Sequence, residues 1–304
     1  MPRSFCDGER AVTAKRILIL GAQGQLGIEL QKAFAGAGEV VALGREWCDL
    51  AHPETIRKAM GDVNPGIVLN AAAYTAVDRA ESEPELAMRV NGDAPGVLAE
   101  EARKTGALLV HYSTDYVFDG SKTGPWVEDD AVNPLNEYGR TKLEGERTIA
   151  NAGGRYLIFR TSWVYSPHGA NFLRTMLRLG KERDQLRIVN DQIGAPTTAA
   201  ALARATRAVI DTGFQDADSG VYHMTCAGET SWFGFAQEIF RRAKEPENKS
   251  WPLVTGIPDT EYPTPAKRPK NSVLSNARLQ ARLGVALPRW EDALAETIAQ
   301  MNAV

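Results

Sequence analysis

Tyr138-Gly-Arg-Thr-Lys142 sets a phenol and an ammonium four residues apart. On a helix that spacing puts both on one face, so the two can enter one cleft. A phenol with a pKa near 10 is a poor acid at pH 7 unless a neighbouring cation favours its ionised form. Lys142 is the expected source of that cation. Upstream, the apolar run ALLVHYS leads into Ser113, Thr114 and Asp115. If the run is a central strand, these side chains stand at its carboxyl end, the ligand edge of parallel sheets. Thr114 can there hydrogen-bond a substrate carbonyl while Tyr138 gives it a proton.

A Tyr-x-x-x-Lys pattern alone marks an ordinary helix face more often than a catalyst. A glycine motif sharpens it. Gly21, Gly24 and Gly27, with Gln23, Gln25 and Leu26 between them, directly follow the run RILIL and open an amphipathic helix. Glycines there permit a tight turn, close approach of backbone amides to a pyrophosphate, and close packing of helix on strand. The joint pattern predicts a nicotinamide dinucleotide above the glycine turn, with Tyr138 and Lys142 also on its binding face.

The second strand, EVVAL, ends at Gly44 and Arg45, where many NAD-preferring proteins carry an acid for the ribose hydroxyls. Arg45 instead offers a guanidinium fork suited to a 2′-phosphate, so NADPH is expected, with NADH as the alternative. Asp49 and Leu50 are candidates for the adenine edge, although Asp49 suits a helix N-terminus equally well. Ala71, Ala72 and Ala73 end the next strand with side chains small enough for a dinucleotide to lie on the backbone.

Other polar residues carry less. His111, inside an apolar strand, reads as a hydrogen-bonded core histidine. His52, His168 and His223 lack metal-ligand spacing, so no metal is expected. Glu81, Glu83 and Glu85 read as a solvated helix start.

The elements that must hold these residues follow from periodicity. From Arg16 to about Phe159, the short runs RILIL, EVVAL, GIVLNAA, ALLVHYS and YLIFRTS alternate with helical stretches at 26–37, 53–61, 84–104 and 136–151. That alternation predicts an α/β fold with a doubly wound, parallel, Rossmann-like sheet. Beyond Trp163 come a helix at 169–182, a strand LRIV, the loop NDQIGAPT, a helix at 197–212, a strand GVYHMT and helices at 231–243 and 290–302. The prolines at 252, 258, 263, 265 and 269 argue against regular structure from Trp251 to Pro269. The expected organisation is an extension over 1–14, a cofactor domain over 15–162 to which segments about 195–223 return, and a smaller mixed α/β substrate lobe over 163–194 and 224–304.

Composition limits the alternatives. A net charge of −3 gives no reason to expect nucleic acid or an anionic membrane as partner. Three scattered cysteines, Cys6, Cys48 and Cys226, suggest neither a disulfide framework nor zinc. No apolar run of about 18 residues is present, and the start MPRSFCDGERAVTAK lacks a secretory core, so a cytoplasmic location is expected.

The sequence resembles the extended short-chain dehydrogenase/reductases, and within them the dTDP-4-dehydrorhamnose reductase family, from Lys15 onward. The likeness is carried by GAQGQLG (21–27), NAAAYTAVDRAESEPELA (70–87), HYSTDYVFDG (111–120), PLNEYGRTKLEGE (134–146), FRTSWVY (159–165), NDQIGAPT (190–197) and YPTPAKRP (262–269). It implies reduction of the C4 ketone of a dTDP-linked 4-keto-6-deoxy sugar, with Thr114, Tyr138 and Lys142 as the catalytic trio. It further implies sugar contacts at Asp115 and Trp163, and a nucleotide-sugar site that includes Asn190, Gln192, Pro196 and Arg268. Two departures stand out. Arg45 replaces an acid found in similar reductases, and Ala200 replaces one of the glutamates that bridge magnesium between subunits of some relatives, although Glu29 is kept. A monomer or weak homodimer is therefore expected. The rival readings are a ketoreductase for another nucleotide-linked deoxysugar and a non-catalytic NADP-binding regulatory subunit.

Overall fold

The computed structural model describes residues 16–246 and 250–302, so the extension expected over 1–14 lies outside them. The apolar runs become β1 (Ile17–Leu20), β2 (Val40–Leu43), β3 (Ile67–Asn70), β4 (Leu108–Thr114) and β5 (Arg155–Thr161). Between them lie α1 (Gln25–Ala33), α2 (Pro53–Val63), α3 (Val77–Ala80), α4 (Pro84–Met88), α5 (Ala94–Thr105) and α6 (Glu137–Ala152). The chain continues through β6 (Val164–Tyr165), α7 (Phe172–Glu182), β7 (Gln185–Val189), β8 (Ile193–Gly194), β9 (Thr197–Thr198), α8 (Ala199–Asp211) and β10 (Gly220–His223). It ends with β11 (Thr230–Ser231), α9 (Trp232–Arg242), β12 (Leu253–Ile257), α10 (Ala277–Leu283) and α11 (Trp290–Asn302).

Six strands form the main sheet in the order β10-β5-β4-β3-β1-β2, with every ladder parallel. Successive side chains of a strand face opposite ways, and β1 shows the consequence. Ile17 and Ile19 pack with Leu26, Leu30 and Phe34 on one face, while Leu18 and Leu20 pack with Ile56, Met60 and Leu98 on the other. Each such buried side chain contributes roughly 1.5–3 kcal/mol of hydrophobic free energy. The strand order reverses beside β1, which opens a crevice at the carboxyl ends of β1, β3 and β4.

Helix α6 starts where Asn136 Oδ1 accepts from the Gly139 amide at 2.8 Å. Glu81 reaches the same helix start, its Oε1 accepting from the Glu137 amide at 2.9 Å. Glu81 is thus a capping group, not the freely solvated carboxylate expected from its neighbours, because an N-terminal amide has no acceptor within its own helix. The helix expected over 84–104 is divided by a π-helical turn, Arg89–Asp93, between α4 and α5.

One expectation is overturned outright. The proline-rich stretch contains β12, five residues that pair in parallel with all of β7. Pro252 and Pro258 flank the strand without interrupting it, so neither removes a ladder hydrogen bond.

Candidate active site

The crevice is a cleft of about 720 Å³ lined by the glycine turn, the ends of β3 and β4, and the start of α6. Its floor begins at Gly21, whose φ of +79° suits glycine. A Cβ on Gly27 would stand 2.1 Å from the Gly21 carbonyl oxygen, and one on Gly21 would stand 2.9 Å from the Ala72 amide. The turn can therefore pack against Ala71 and Ala72 only as glycine, which leaves a side-chain-free cradle. Gly21, Gln23, Gly24, Gln25, Leu26 and the three alanines line the cleft, whereas Gly27 serves the packing of α1.

Two polar residues of the turn are already engaged. Gln25 Oε1 accepts from Asn171 Nδ2 at 2.8 Å and from Ser166 Oγ at 3.2 Å, tying the turn to the loop after β6. Gln23 Nε2 donates to Glu46 Oε1 at 2.8 Å. Arg45, Asp49 and Leu50 also line the cleft, but Arg45 is not a free fork: its Nε donates to Asp49 Oδ2 at 3.0 Å. Asp49 Oδ1 meanwhile accepts from the Ala51 amide at 3.0 Å. Glu46, unremarked in the sequence, brings a second carboxylate to this corner.

Thr114, Asp115, Tyr138 and Lys142 come together on the opposite wall. Thr114 Oγ1 donates to Asp115 Oδ1 at 2.9 Å and accepts from the Tyr116 amide at 3.1 Å. Asp115 is buried, and burial pushes its carboxyl up to about 6 against the Ser272 and Thr114 hydroxyls, while its Oδ2 makes no well-formed hydrogen bond among the described residues. Tyr138 lies edge-on to Tyr116, with ring centroids 5.7 Å apart. Burial, and then the Asp115 carboxylate, push the Tyr138 phenol above its ordinary value, while a hydrogen bond with Thr114 works the other way.

The pairing of Lys142 differs from expectation. Its Nζ sits 2.6 Å from the Tyr112 carbonyl oxygen and 3.0 Å from His111 Nε2, and no ion pair or hydrogen bond joins it to Tyr138 among the described contacts. The phenol is not held acidic by this ammonium in the structure, because strand β4 offers acceptors that satisfy it first. Burial lowers Lys142 to about 8, which the Glu146 carboxylate partly opposes. His111 is buried, as its place in an apolar strand suggested, but it contacts the lysine directly.

The substrate-side residues divide. Trp163 lines the cleft and stacks on Trp232, with centroids 3.6 Å apart and planes 10° apart. Its φ of +49° is a left-handed conformation that costs a non-glycine residue about 1 kcal/mol or more, so neighbouring structure must impose it. Asn190, Gln192, Pro196 and Arg268 are not among the residues lining this cleft. Asn190 is exposed, whereas Gln192 and Pro196 are buried. Arg268 is engaged twice by Asp78, its Nη2 at 2.8 Å from Oδ2 and its Nη1 at 3.1 Å from Oδ1. It is a clasp between the chain after β3 and the 262–269 loop, not an open anion site.

Sequence reasoning missed Asn91 and Trp232. Asn91 holds Tyr74, a cleft residue, through its amide at 2.9 Å and its carbonyl at 3.0 Å, and also reaches Thr141 Oγ1 at 3.3 Å beside Lys142. The π-helical turn aims it there, and that register shift leaves no periodic signal. Trp232 was legible only as a helix-start aromatic.

Glu29 is buried and paired with Lys32 at 2.7 Å, and no cluster suited to a metal ion occurs among the described residues. None of the described helices is long and apolar enough to cross a membrane.

Comparison with known proteins identifies the family and the fold. The family described as RmlD substrate binding domain matches residues 15–303. A dTDP-4-dehydrorhamnose reductase from Burkholderia thailandensis is 49% identical over 295 residues, covering 92% of this chain and 96% of that protein. The crystal structure of a dTDP-4-dehydrorhamnose reductase from Clostridium acetobutylicum superimposes with a TM-score of 0.88 at 42% identity, covering 94% of this chain and 99% of that one. That of the Bacillus anthracis enzyme in complex with NADP gives the same TM-score of 0.88 and the same coverage of 94% and 99% at 34% identity. A Rossmann-like oxidoreductase architecture with this cleft and these relatives places the chain in the RmlD substrate binding domain family.

Proposed function

We propose that this protein is an NADPH-dependent reductase that converts the C4 ketone of dTDP-4-dehydro-L-rhamnose to the alcohol of dTDP-L-rhamnose, the last step in making that sugar donor. The observation that carries the reading is the convergence of Tyr138, Thr114 and the Asp115 oxygen without a well-formed hydrogen bond on the cleft that also contains the glycine cradle.

The residues present fit a dinucleotide. A groove stripped of side chains at Gly21 and Gly24 suits the pyrophosphate, with Ala71 to Ala73 beneath it and Arg45 at the adenosine end. Bound there, the reduced nicotinamide supplies a hydride. Tyr138 donates its phenolic proton to the carbonyl oxygen, and Thr114 orients that oxygen by a second hydrogen bond once its hydroxyl proton turns from Asp115 Oδ1 to the substrate. Asp115 Oδ2 accepts from a sugar hydroxyl, which would satisfy a buried oxygen of the cleft wall that makes no hydrogen bond among the described residues. Trp163, stacked on Trp232, offers an apolar wall to the 6-methyl group. Lys142, which lines the cleft, would have one N–H left for a bound cofactor beyond those given to His111 and Tyr112.

The division into a cofactor domain over 15–162, returning segments about 195–223 and a substrate lobe over 163–194 and 224–304 belongs to the same proposal. It is supported by the presence of β10 in the main sheet and by the packing of α8 on α1. Arg268 would contact the nucleotide-sugar once its Asp78 clasp is exchanged for the diphosphate, with Asn190, Gln192 and Pro196 as the other members of that site. The protein is taken to act in the cytoplasm as a monomer or weak homodimer, without nucleic acid, membrane or metal partner.

A coupled assay with dTDP-4-dehydrorhamnose, run with NADPH and NADH in parallel, tests substrate and cofactor together. Consumption of NADPH that depends on the keto sugar supports the reading, and its absence with correctly folded protein refutes it.

A further inference from the structure

The buried contacts behind Lys142 contain a conflict in hydrogen-bond accounting. His111 and Asn70 are Cα partners in the β3–β4 register, and both are buried. His111 Nε2 lies 3.0 Å from Lys142 Nζ, and its Nδ1 lies 3.0 Å from Asn70 Nδ2. Asn70 Oδ1 accepts from the amide of Ala72, a cleft residue, at 3.3 Å. Burial, together with the Lys142 charge, keeps the His111 imidazole neutral, so it carries one N–H.

An ammonium has only donors. If Lys142 is charged, Nε2 must accept, the proton sits on Nδ1, and Asn70 must turn its oxygen toward the ring. If Lys142 is a neutral amine, Nε2–H can donate to it, and Nδ1 accepts from the Asn70 amide as placed. A charged Lys142 facing Nε2–H would set donor against donor, so it requires the first arrangement at the expense of the Ala72 amide; a neutral Lys142 favours the second, which alone keeps Asn70 Oδ1 on that amide. We infer that His111 is a positioning residue whose tautomer is locked to the charge of Lys142, and that the Asn70 amide follows, so that the cofactor floor at Ala72 responds to the protonation of the active-site lysine.

The other groups facing Lys142 do not substitute for this coupling. Tyr112 contributes a carbonyl acceptor from β4, and Tyr138 contributes a phenol from α6. Glu146, one turn along α6, is spent on Arg160 of β5 at 2.6 Å. Ile158 of β5, the register partner of His111 on its other side, is apolar. With Lys142 lowered to about 8, both states are populated within an accessible pH range. The consequence for catalysis rests on the reading of Lys142 as the cofactor-facing cation, but the tautomer lock does not.

The test is NMR of the full chain labelled with 15N-histidine, which has four histidines to resolve, titrated from pH 6.5 to 9.5. The expected result is a His111 ring that changes from the Nδ1–H to the Nε2–H form with a midpoint near that of Lys142, and a pH-independent ring in Lys142→Met. One tautomer throughout, or a midpoint that survives in Lys142→Met, overturns the inference. In a second arm, NADPH binding followed by fluorescence should move its basic-limb midpoint down by about one pH unit in His111→Phe and stay near wild type in His111→Gln, which restores an acceptor. Equal profiles in both variants also overturn it. If His111→Phe does not fold, the NMR arm decides. A tautomer change in a protein without reductase activity would remove the proposed reaction and keep the inference; activity with an unmoving ring would do the reverse.

Discussion

Lys142 and Glu146 stand one turn apart on α6, both buried, yet their surroundings are opposite in kind. Glu146 meets its counter-charge: Arg160 donates to it through Nε at 2.9 Å and Nη2 at 2.6 Å, and the guanidinium also lies 5.1 Å above the Phe118 ring. Lys142 meets only neutral acceptors, His111 and the Tyr112 carbonyl. A buried charge with a well-placed opposite charge is held in one ionisation state. A buried charge among dipoles sits near its own titration, and that makes it usable. The first site braces the helix that carries Tyr138; the second keeps a cation available at the cleft.

The largest expected effect comes from breaking the braced site. Glu146→Ala leaves Arg160 buried without its counter-charge, which should cost about 3–5 kcal/mol in urea unfolding. A loss below about 1 kcal/mol would mean that the pair does not brace the helix. Tyr138→Phe should be nearly neutral for stability while slowing turnover at least about a hundredfold, with cofactor and sugar nucleotide still bound. Normal turnover would remove the proton-donor assignment.

Lys142→Met should have the opposite sign to Glu146→Ala. Removing a buried ammonium relieves its desolvation, offset by the lost hydrogen bond to Tyr112, for a net gain of about 1–2 kcal/mol at pH 7 alongside loss of activity. The pH dependence follows from the same shift. Lys142 is lowered to about 8 from an unfolded value near 10.5. Between those values the unfolded chain binds more protons than the folded one, so this group makes stability rise with pH across that window, and its contribution is lost as pH falls through 8. Denaturant midpoints of wild type and variant across pH 7–10.5 should converge toward the alkaline end. Parallel curves would break the contrast between the two sites.

The same contrast explains what the sequence could and could not show. Strand runs, helix spacing and the glycine turn are local, and β1, α6 and Gly21 to Gly27 lie where alternation and motif put them. Partners chosen across the fold are not local. His111 reaches Lys142 because of where α6 lies on β4, and Arg268 meets Asp78 across 190 positions of chain. Proline content marked 251–269 as irregular, but whether a proline breaks a strand or bounds it depends on which neighbour the strand finds, here β7. Asn91 was hidden because a π-helical turn shifts the helical phase that would have revealed its face.

The smallest expected effect concerns the third kind of charge, the exposed pair at the cofactor corner. Arg45 is 76% exposed at its side chain, so its bond to Asp49 is screened by water and worth little to the fold. Arg45→Ala should change stability by no more than about 0.5 kcal/mol. What it should change is selection. A 2′-phosphate competes with Asp49 for the guanidinium, and Glu46 remains nearby to accept from an unphosphorylated ribose, so NADPH should lose about tenfold in kcat/KM relative to NADH. Side-by-side kinetics with the two cofactors check this directly. An unchanged ratio would mean that Arg45 does no more than pair with Asp49, and that cofactor preference is set elsewhere in the cleft.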